Sequence, residues 1–220
     1  MAKSRRNKRD SKPKIQHLEA KTENQREYVR SIIENDIVFC SGPSGSGKSF
    51  IAAGIAAEHL HRKNIEQIIV TRPLVCTGKD IGSLPGELGE KIAPYLLPMK
   101  ENLRFFLGQG YYGFYENEGK IHYKPLEIMR GSTFHDSYMI LDEAQNCTVE
   151  QIKMFITRMG KNSKVLINGD INQDDLRGRS GLDYCIGKLG GIEGVGICEL
   201  GYEDIQRNDI IGQVLHALET

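Results

Sequence analysis

The chain has no tryptophan and no apolar run approaching the eighteen or so residues that a membrane-spanning helix requires. A transmembrane helix is therefore excluded, and no membrane partner is expected. Its five cysteines (Cys40, Cys76, Cys147, Cys185, Cys198) are odd in number, scattered, and without a C-x-x-C pair. That excludes a disulfide framework and a zinc site, and it fits a reducing cytoplasm. Met1-Ala2-Lys3-Ser4-Arg5-Arg6 is charged and has no apolar stretch behind it, so no secretory signal is expected. Net charge is also lacking, being zero overall. The balance is uneven, however. Residues 1–14 hold seven bases and one acid, which leaves 22 bases against 28 acids in the remainder. Residues 1–20 read as a basic, disordered tail, suited either to phosphate backbones or simply to solvation. Residues 21–220 are long enough for one α/β domain.

The clearest positive signal is Gly42-Pro43-Ser44-Gly45-Ser46-Gly47-Lys48-Ser49, which fits G-x-x-x-x-G-K-[ST] at every fixed position. The apolar run Ile37–Cys40 before it reads as a strand, and Ala52–His59 after it reads as a helix. Strand, glycine loop and helix together let backbone N–H groups wrap a polyphosphate at a helix N-terminus. Lys48 would reach the β- and γ-phosphates, and the Ser49 hydroxyl would hold Mg²⁺.

Further segments alternate in type. Thr22–Gln25 opens a helix carrying Tyr28, Val29, Ile32 and Ile33 at helical spacing. Residues 67–71, 138–141, 164–168 and 195–200 read as four more strands. Residues 151–159 and 210–218 read as helices. The expectation is a parallel sheet with helices on both faces. Residues 76–125 break this rhythm with clustered glycine and proline, and read as an insertion on the ligand-facing edge. Seven of the sixteen Phe and Tyr residues fall between Phe105 and Tyr123. Packing is the favoured reading of that patch over stacking on bases. Tyr115–Ile121 suggests a hairpin turn.

Two acids, Asp142 and Glu143, end the apolar strand Met139-Ile140-Leu141. The carboxyl ends of strands are where ligands bind in such sheets. Asp142 would hold Mg²⁺ through water, and Glu143 would orient and deprotonate an attacking water. Val165–Asn168 runs likewise into Gly169-Asp170, with Gln173 three residues on. Asp170 and Gln173 are candidates to sense the γ-phosphate. Arg72, after the strand Ile69–Thr71, is either a phosphate ligand or an exposed arginine before Pro73. Gln25 is either the return arm of a capping box with Thr22 or an amide that reads adenine.

These residues resemble the PhoH-like family of P-loop ATPases, especially short, phage-type members. The likeness rests on Asn24-Gln25, Gly42–Ser49, Thr71-Arg72-Pro73, Leu84–Leu88 with Glu90-Lys91-Ile92, and Met129–Phe134. It continues through Leu141–Asn146, Lys153–Phe155, Gly169-Asp170-x-x-Gln173 and Ser180–Leu182, and spans about residues 20–220. Asp-Glu-Ala-Gln and Thr-Arg-Pro are also similar to superfamily 1 helicases. The resemblance implies a RecA-like core, ATP and Mg²⁺ as ligands, and adenine contact for Gln25. It makes Arg207 a candidate arginine finger from a neighbouring subunit, with Arg130 a second candidate. It further implies a ring, suspected to be hexameric, and single-stranded RNA or DNA as partner. The association with phosphate starvation comes with the family's name alone. Larger members carry a nuclease-like N-terminal domain where a basic tail is read here, which leaves no basis for predicting RNA cleavage.

The expected activity is ATP hydrolysis by in-line water attack, coupled to nucleic acid, with helicase activity only if subunits cooperate. A nucleotide-switched interaction module is the alternative. A metabolite kinase is less favoured, because nothing resembles an acceptor pocket.

Overall fold

The computed structural model of the chain describes residues 15–73, 88–173, 180–206 and residue 214. Among the described residues, six strands form one sheet: β1 (Ile37–Ser41), β2 (Gln67–Thr71), β3 (Ile121–Tyr123), β4 (Ser137–Leu141), β5 (Lys164–Gly169) and β6 (Val195–Glu199). Their order is β3-β2-β4-β5-β1-β6, and every pairing is parallel. β5 thus lies between β1, which enters the phosphate loop, and β4, which ends at the paired acids. Parallel pairing puts all of these strand ends on one edge.

The helices are α1 (Glu23–Glu34), α2 (Lys48–His61), α3 (Leu88–Asn117), α4 (Val149–Ile156) and α5 (Leu182–Leu189). Strand side chains alternate in direction, so the core divides in two. Val38, Cys40, Ile68, Val70, Ile140 and Leu166 face α1, α2 and α3. Phe39, Ile69, Met139, Leu141, Val165 and Ile167 face α4 and α5. Strands covered on both sides need near-continuous apolar sequence. Residues 138–141 supply it and are buried throughout.

The expected strands are present, and β3 is additional. It has only three residues, inside a stretch whose aromatic density suggested packing. The hairpin expected at Tyr115–Ile121 does not form. Instead α3 ends at Asn117, and the Lys120 N–H donates to the Tyr115 carbonyl at 2.8 Å. Gly119 makes the reversal at φ +64°, and the chain enters β3 parallel to β2. Of the expected insertion, residues 88–125 are α3 and the edge strand. α3 is kinked at Gly108 and packs on α2. Gly54 of α2 permits this contact, because a Cβ there would lie 2.9 Å from Phe106 Cζ. The favoured packing reading holds for Phe106, Tyr112 and Tyr115, which are buried, while Phe105 and Phe114 are exposed.

Residues 15–20, assigned from sequence to the tail, lie against the core. The Gln16 N–H donates to the Phe106 carbonyl at 2.7 Å, and Leu18 packs on the α1–α2–α3 cluster. Residues 1–14 lie outside the described residues, as does the expected last helix apart from Val214.

Candidate functional site

The phosphate loop takes backbone conformations that few residues tolerate. Gly42, Gly45 and Gly47 have φ of +147°, +87° and +103°. A Cβ at Gly42 would also lie 2.3 Å from the Leu200 carbonyl oxygen, so the loop sits directly on the chain leaving β6. Ser46 is fully buried and closes the loop from within, its Oγ donating to the Pro43 carbonyl at 2.9 Å. Lys48 folds back over the loop, with Nζ donating to the carbonyls of Gly42 (2.5 Å) and Pro43 (2.9 Å). An ammonium held by two neutral carbonyls is free to exchange them for anionic oxygens, which bind it more strongly.

Ser49 and Asp142, 93 positions apart in sequence, meet where α2 begins and β4 ends, and Ser49 Oγ donates to Asp142 Oδ1 at 2.6 Å. Burial pushes the Asp142 carboxyl above its ordinary range, and neighbouring Glu143 adds to this. The Ser49 hydrogen bond, Arg72 and Lys48 pull the other way. A buried carboxylate beside a hydroxyl is a hard-oxygen pair short of positive charge, and these residues fit Mg²⁺.

Glu143 stands in the left-handed region at φ +57°, rare for a residue with a long side chain. Its carboxylate is held on both sides. Arg72 Nη2 approaches Oε1 at 3.3 Å, and Gln145 Nε2 donates to Oε2 at 2.6 Å. Gln145 is buried, and its Oε1 accepts the Asp170 N–H at 3.0 Å. That backbone donor fixes which end of the amide faces Glu143. The ends of β2, β4 and β5 are thereby joined through one carboxylate and one amide. Gln145 lies within the Asp-Glu-Ala-Gln run, but the sequence assigns it no role. Its spacing from Glu143 was visible; its bond to Asp170 was not.

Asp170 is buried at the β5 exit, and its Oδ1 accepts the Asn172 N–H at 3.0 Å. Gln173 is exposed, and its side chain lines the same cavity. Arg72, for which the sequence allows either role, lines this cavity and is tied by Nη1 to the Tyr95 carbonyl at 3.3 Å. Arg130 is exposed and does not line the cavity. Arg207 lies outside the described residues.

Gln25 keeps part of its capping-box reading. Thr22 caps α1, accepting the Gln25 N–H at 3.2 Å. The return arm of a capping box is not made, because Gln25 Oε1 accepts instead from the Lys21 N–H at 2.8 Å. Its Nε2 donates to the carbonyls of Ser46 (2.9 Å) and Asp204 (3.2 Å). Gln25 therefore ties the phosphate loop to the segment after β6. Buried Asp204 anchors that segment, accepting from Thr22 Oγ1, Asn24 Nδ2 and the Gly201 N–H.

Gln25, Ser44, Gly45, Gly47, Lys48, Ser49, Arg72, Asp142, Glu143, Asp170 and Gln173 line one cavity of about 790 Å³, while Gly42, Pro43 and Ser46 form the loop behind it. Phe50, Pro98 and Asn102 also line it. No cluster of three or more His, Cys, Asp or Glu suited to a metal occurs among the described residues. Nor is any described helix long and apolar enough to cross a membrane.

Comparison with solved structures places the fold among RecA-like P-loop ATPase cores. The large terminase from a thermophilic bacteriophage aligns over 89% of this chain and 49% of its own, at a TM-score of 0.55 and 11% identity. The Sulfolobus solfataricus SWI2/SNF2 ATPase core in complex with dsDNA aligns over 85% and 46%, at a TM-score of 0.50 and 12% identity. The chain belongs to the PhoH family: the family pattern described as PhoH-like protein matches residues 17–219. A PhoH-like protein of Bacillus subtilis is 43% identical over 204 residues, covering 92% of this chain and 64% of its own length. Protein PhoH of Escherichia coli K12 is 42% identical over 216 residues, covering 96% and 60%. The chain thus spans less than two thirds of these curated relatives.

Proposed function

We propose that this protein is an Mg²⁺-dependent ATPase that cleaves the γ-phosphate by in-line attack of water. The observation carrying this reading is the meeting of Lys48, Ser49, Asp142 and Glu143 in one cavity at the carboxyl edge of a parallel sheet. The loop amides and Lys48 would bind the polyphosphate. Ser49 and Asp142 would hold Mg²⁺, whose role when bound is to neutralise charge on the β- and γ-oxygens. Glu143 would take the proton of the attacking water as its oxygen bonds to phosphorus and the bridging bond to ADP breaks. Asp170 and Gln173 flank the γ-phosphate end and would report its loss. Arg72 is well placed to leave Glu143 for the phosphate, since a guanidinium binds either anion bidentately.

Coupling to single-stranded nucleic acid, a ring of subunits and an Arg207 finger from a neighbour belong to this proposal as extensions. Membership of the PhoH family and the helicase-like fold support them. A cytoplasmic location belongs with them. A second reading, a nucleotide-switched interaction module, is favoured by the Gln25 link between the phosphate loop and the Asp204 segment. A signal at the nucleotide would reach the C-terminal segment through that amide.

Steady-state hydrolysis with Mg²⁺, with and without single-stranded RNA, tests both readings. Lys48→Ala should lose ATP binding and turnover together. Glu143→Gln should keep binding and lose about 10²–10⁴-fold in turnover. An unchanged rate in Glu143→Gln would remove Glu143 as the base. RNA stimulation supports the motor reading, and indifference to RNA supports the switch.

A further inference from the structure

The phosphate end of the cavity is fixed by Lys48, Ser49 and Asp142, so a bound nucleoside must lie toward the other lining residues. These include Gln25, Lys21, Glu19, Phe50, Pro98 and Asn102. Phe50 is the one aromatic ring among the described residues lining the cavity, and the residue is 37% exposed. It follows directly after Ser49, within the first turn of α2. The ring is held from behind. Its centroid lies 4.6 Å from that of Phe106 and 5.5 Å from that of Phe105, both tilted near 45–50°. Phe106 is itself buried, seated on Gly54. Phe50 thus packs against two rings while part of its surface stays uncovered beside the cavity.

Gln25 alone does not account for nucleobase binding. Both N–H bonds of its amide are used by the Ser46 and Asp204 carbonyls, and its oxygen already accepts from Lys21. A base arriving here finds few free polar partners on Gln25 and one partly uncovered aromatic ring. We infer that Phe50, braced by Phe105 and Phe106, is the stacking platform for the nucleobase, and that stacking, more than hydrogen bonding, separates a nucleotide from bare polyphosphate. This rests on the nucleotide-binding reading above and adds the group that recognises the base.

The test compares ATP with inorganic tripolyphosphate, each with Mg²⁺, as ligands of the full chain by calorimetry. Parent protein should bind ATP more tightly than tripolyphosphate. Phe50→Ala should weaken ATP about 10-fold, within the range for loss of one base–aromatic stack, and leave tripolyphosphate within about 2-fold. Phe50→Tyr should restore ATP binding. Phe50→Leu keeps the apolar volume without the π face and should stay weakened. This variant guards against a packing defect in Phe50→Ala, and thermal unfolding of each checks the fold. Equal weakening of both ligands, or unchanged ATP affinity in Phe50→Ala, overturns the platform and leaves the phosphate-loop reading intact. Failure of the parent to bind either ligand would instead overturn the nucleotide reading, and the platform with it.

Discussion

At the residue scale, Asp142 carries a conflict between fold and chemistry. Burial favours its protonated form, yet a cation site needs the carboxylate. An acid whose pKa rises on folding holds its proton more firmly in the native state. Stability therefore falls as pH rises from the ordinary carboxylate range through the shifted value, and the cost persists at neutral pH. Asp142→Asn removes that cost and keeps an acceptor for the Ser49 hydroxyl. Its melting temperature without ligand should exceed the parent's near neutral pH. The advantage should shrink as the pH is lowered toward the ordinary carboxylate range, and added Mg²⁺–nucleotide should stabilise the parent but not the variant. A variant less stable than the parent at neutral pH would show that the Asp142 charge is already compensated.

Gln145 shows how far single residues were legible. The acids were readable because they end an apolar strand, and the phosphate loop because its spacing is distinctive. Contacts between distant segments were not. Nothing in the local sequence tells that Arg72 meets Glu143, that Gln145 meets Asp170, or that Gln25 meets Asp204. Each pairs side chains or backbone groups whose positions depend on strand order, and strand order is a property of the whole sheet.

At the element scale, α4 and α5 meet almost backbone to backbone. A Cβ at Gly181 would lie 2.3 Å from the Val149 amide nitrogen, and the Gly181 N–H already donates to the Cys147 carbonyl at 2.7 Å. Neither neighbour can yield, because Thr148 caps α4 in a reciprocal box with Gln151. Gly181→Ala should destabilise by about 2–3 kcal/mol, toward the upper end of overpacking costs. Thr148→Ala should cost about 1 kcal/mol, as the loss of an N-cap does. Urea unfolding measures both, and equal midpoints for Gly181→Ala and the parent would show that the helices can part without penalty. The elements most visible in sequence were those with a single strong pattern. β1, β2, β4 and β5 each carry a short, nearly unbroken apolar run. β3 was hidden because it is short, mixed in polarity and preceded by aromatic residues that pack α3 onto α2.

At the scale of the whole molecule, the two edges of the sheet differ in kind. β3 ends one side with three residues, and β6 ends the other with five, of which Ile197 and Glu199 are exposed. Oligomerisation through either edge or through the exposed Phe105 and Phe114 is a matter for sedimentation with and without nucleotide. A ring should appear as a discrete larger species when ATP is bound to Glu143→Gln.

Strand order also carries a consequence for synthesis on the ribosome. β1 is made early, yet among the described strands its neighbours in the sheet are β5 and β6. The phosphate loop rests on the carbonyl of Leu200. A nascent chain that has reached residue 160 therefore has the complete nucleotide motif in its sequence but no lateral support for the strand that presents it. An apolar strand waiting for distant partners is a target for mispairing. Arrested chains of increasing length should acquire protease resistance at residues 37–60 only once β6 has emerged. In this protein the earliest signature to be translated is among the last parts to become a site.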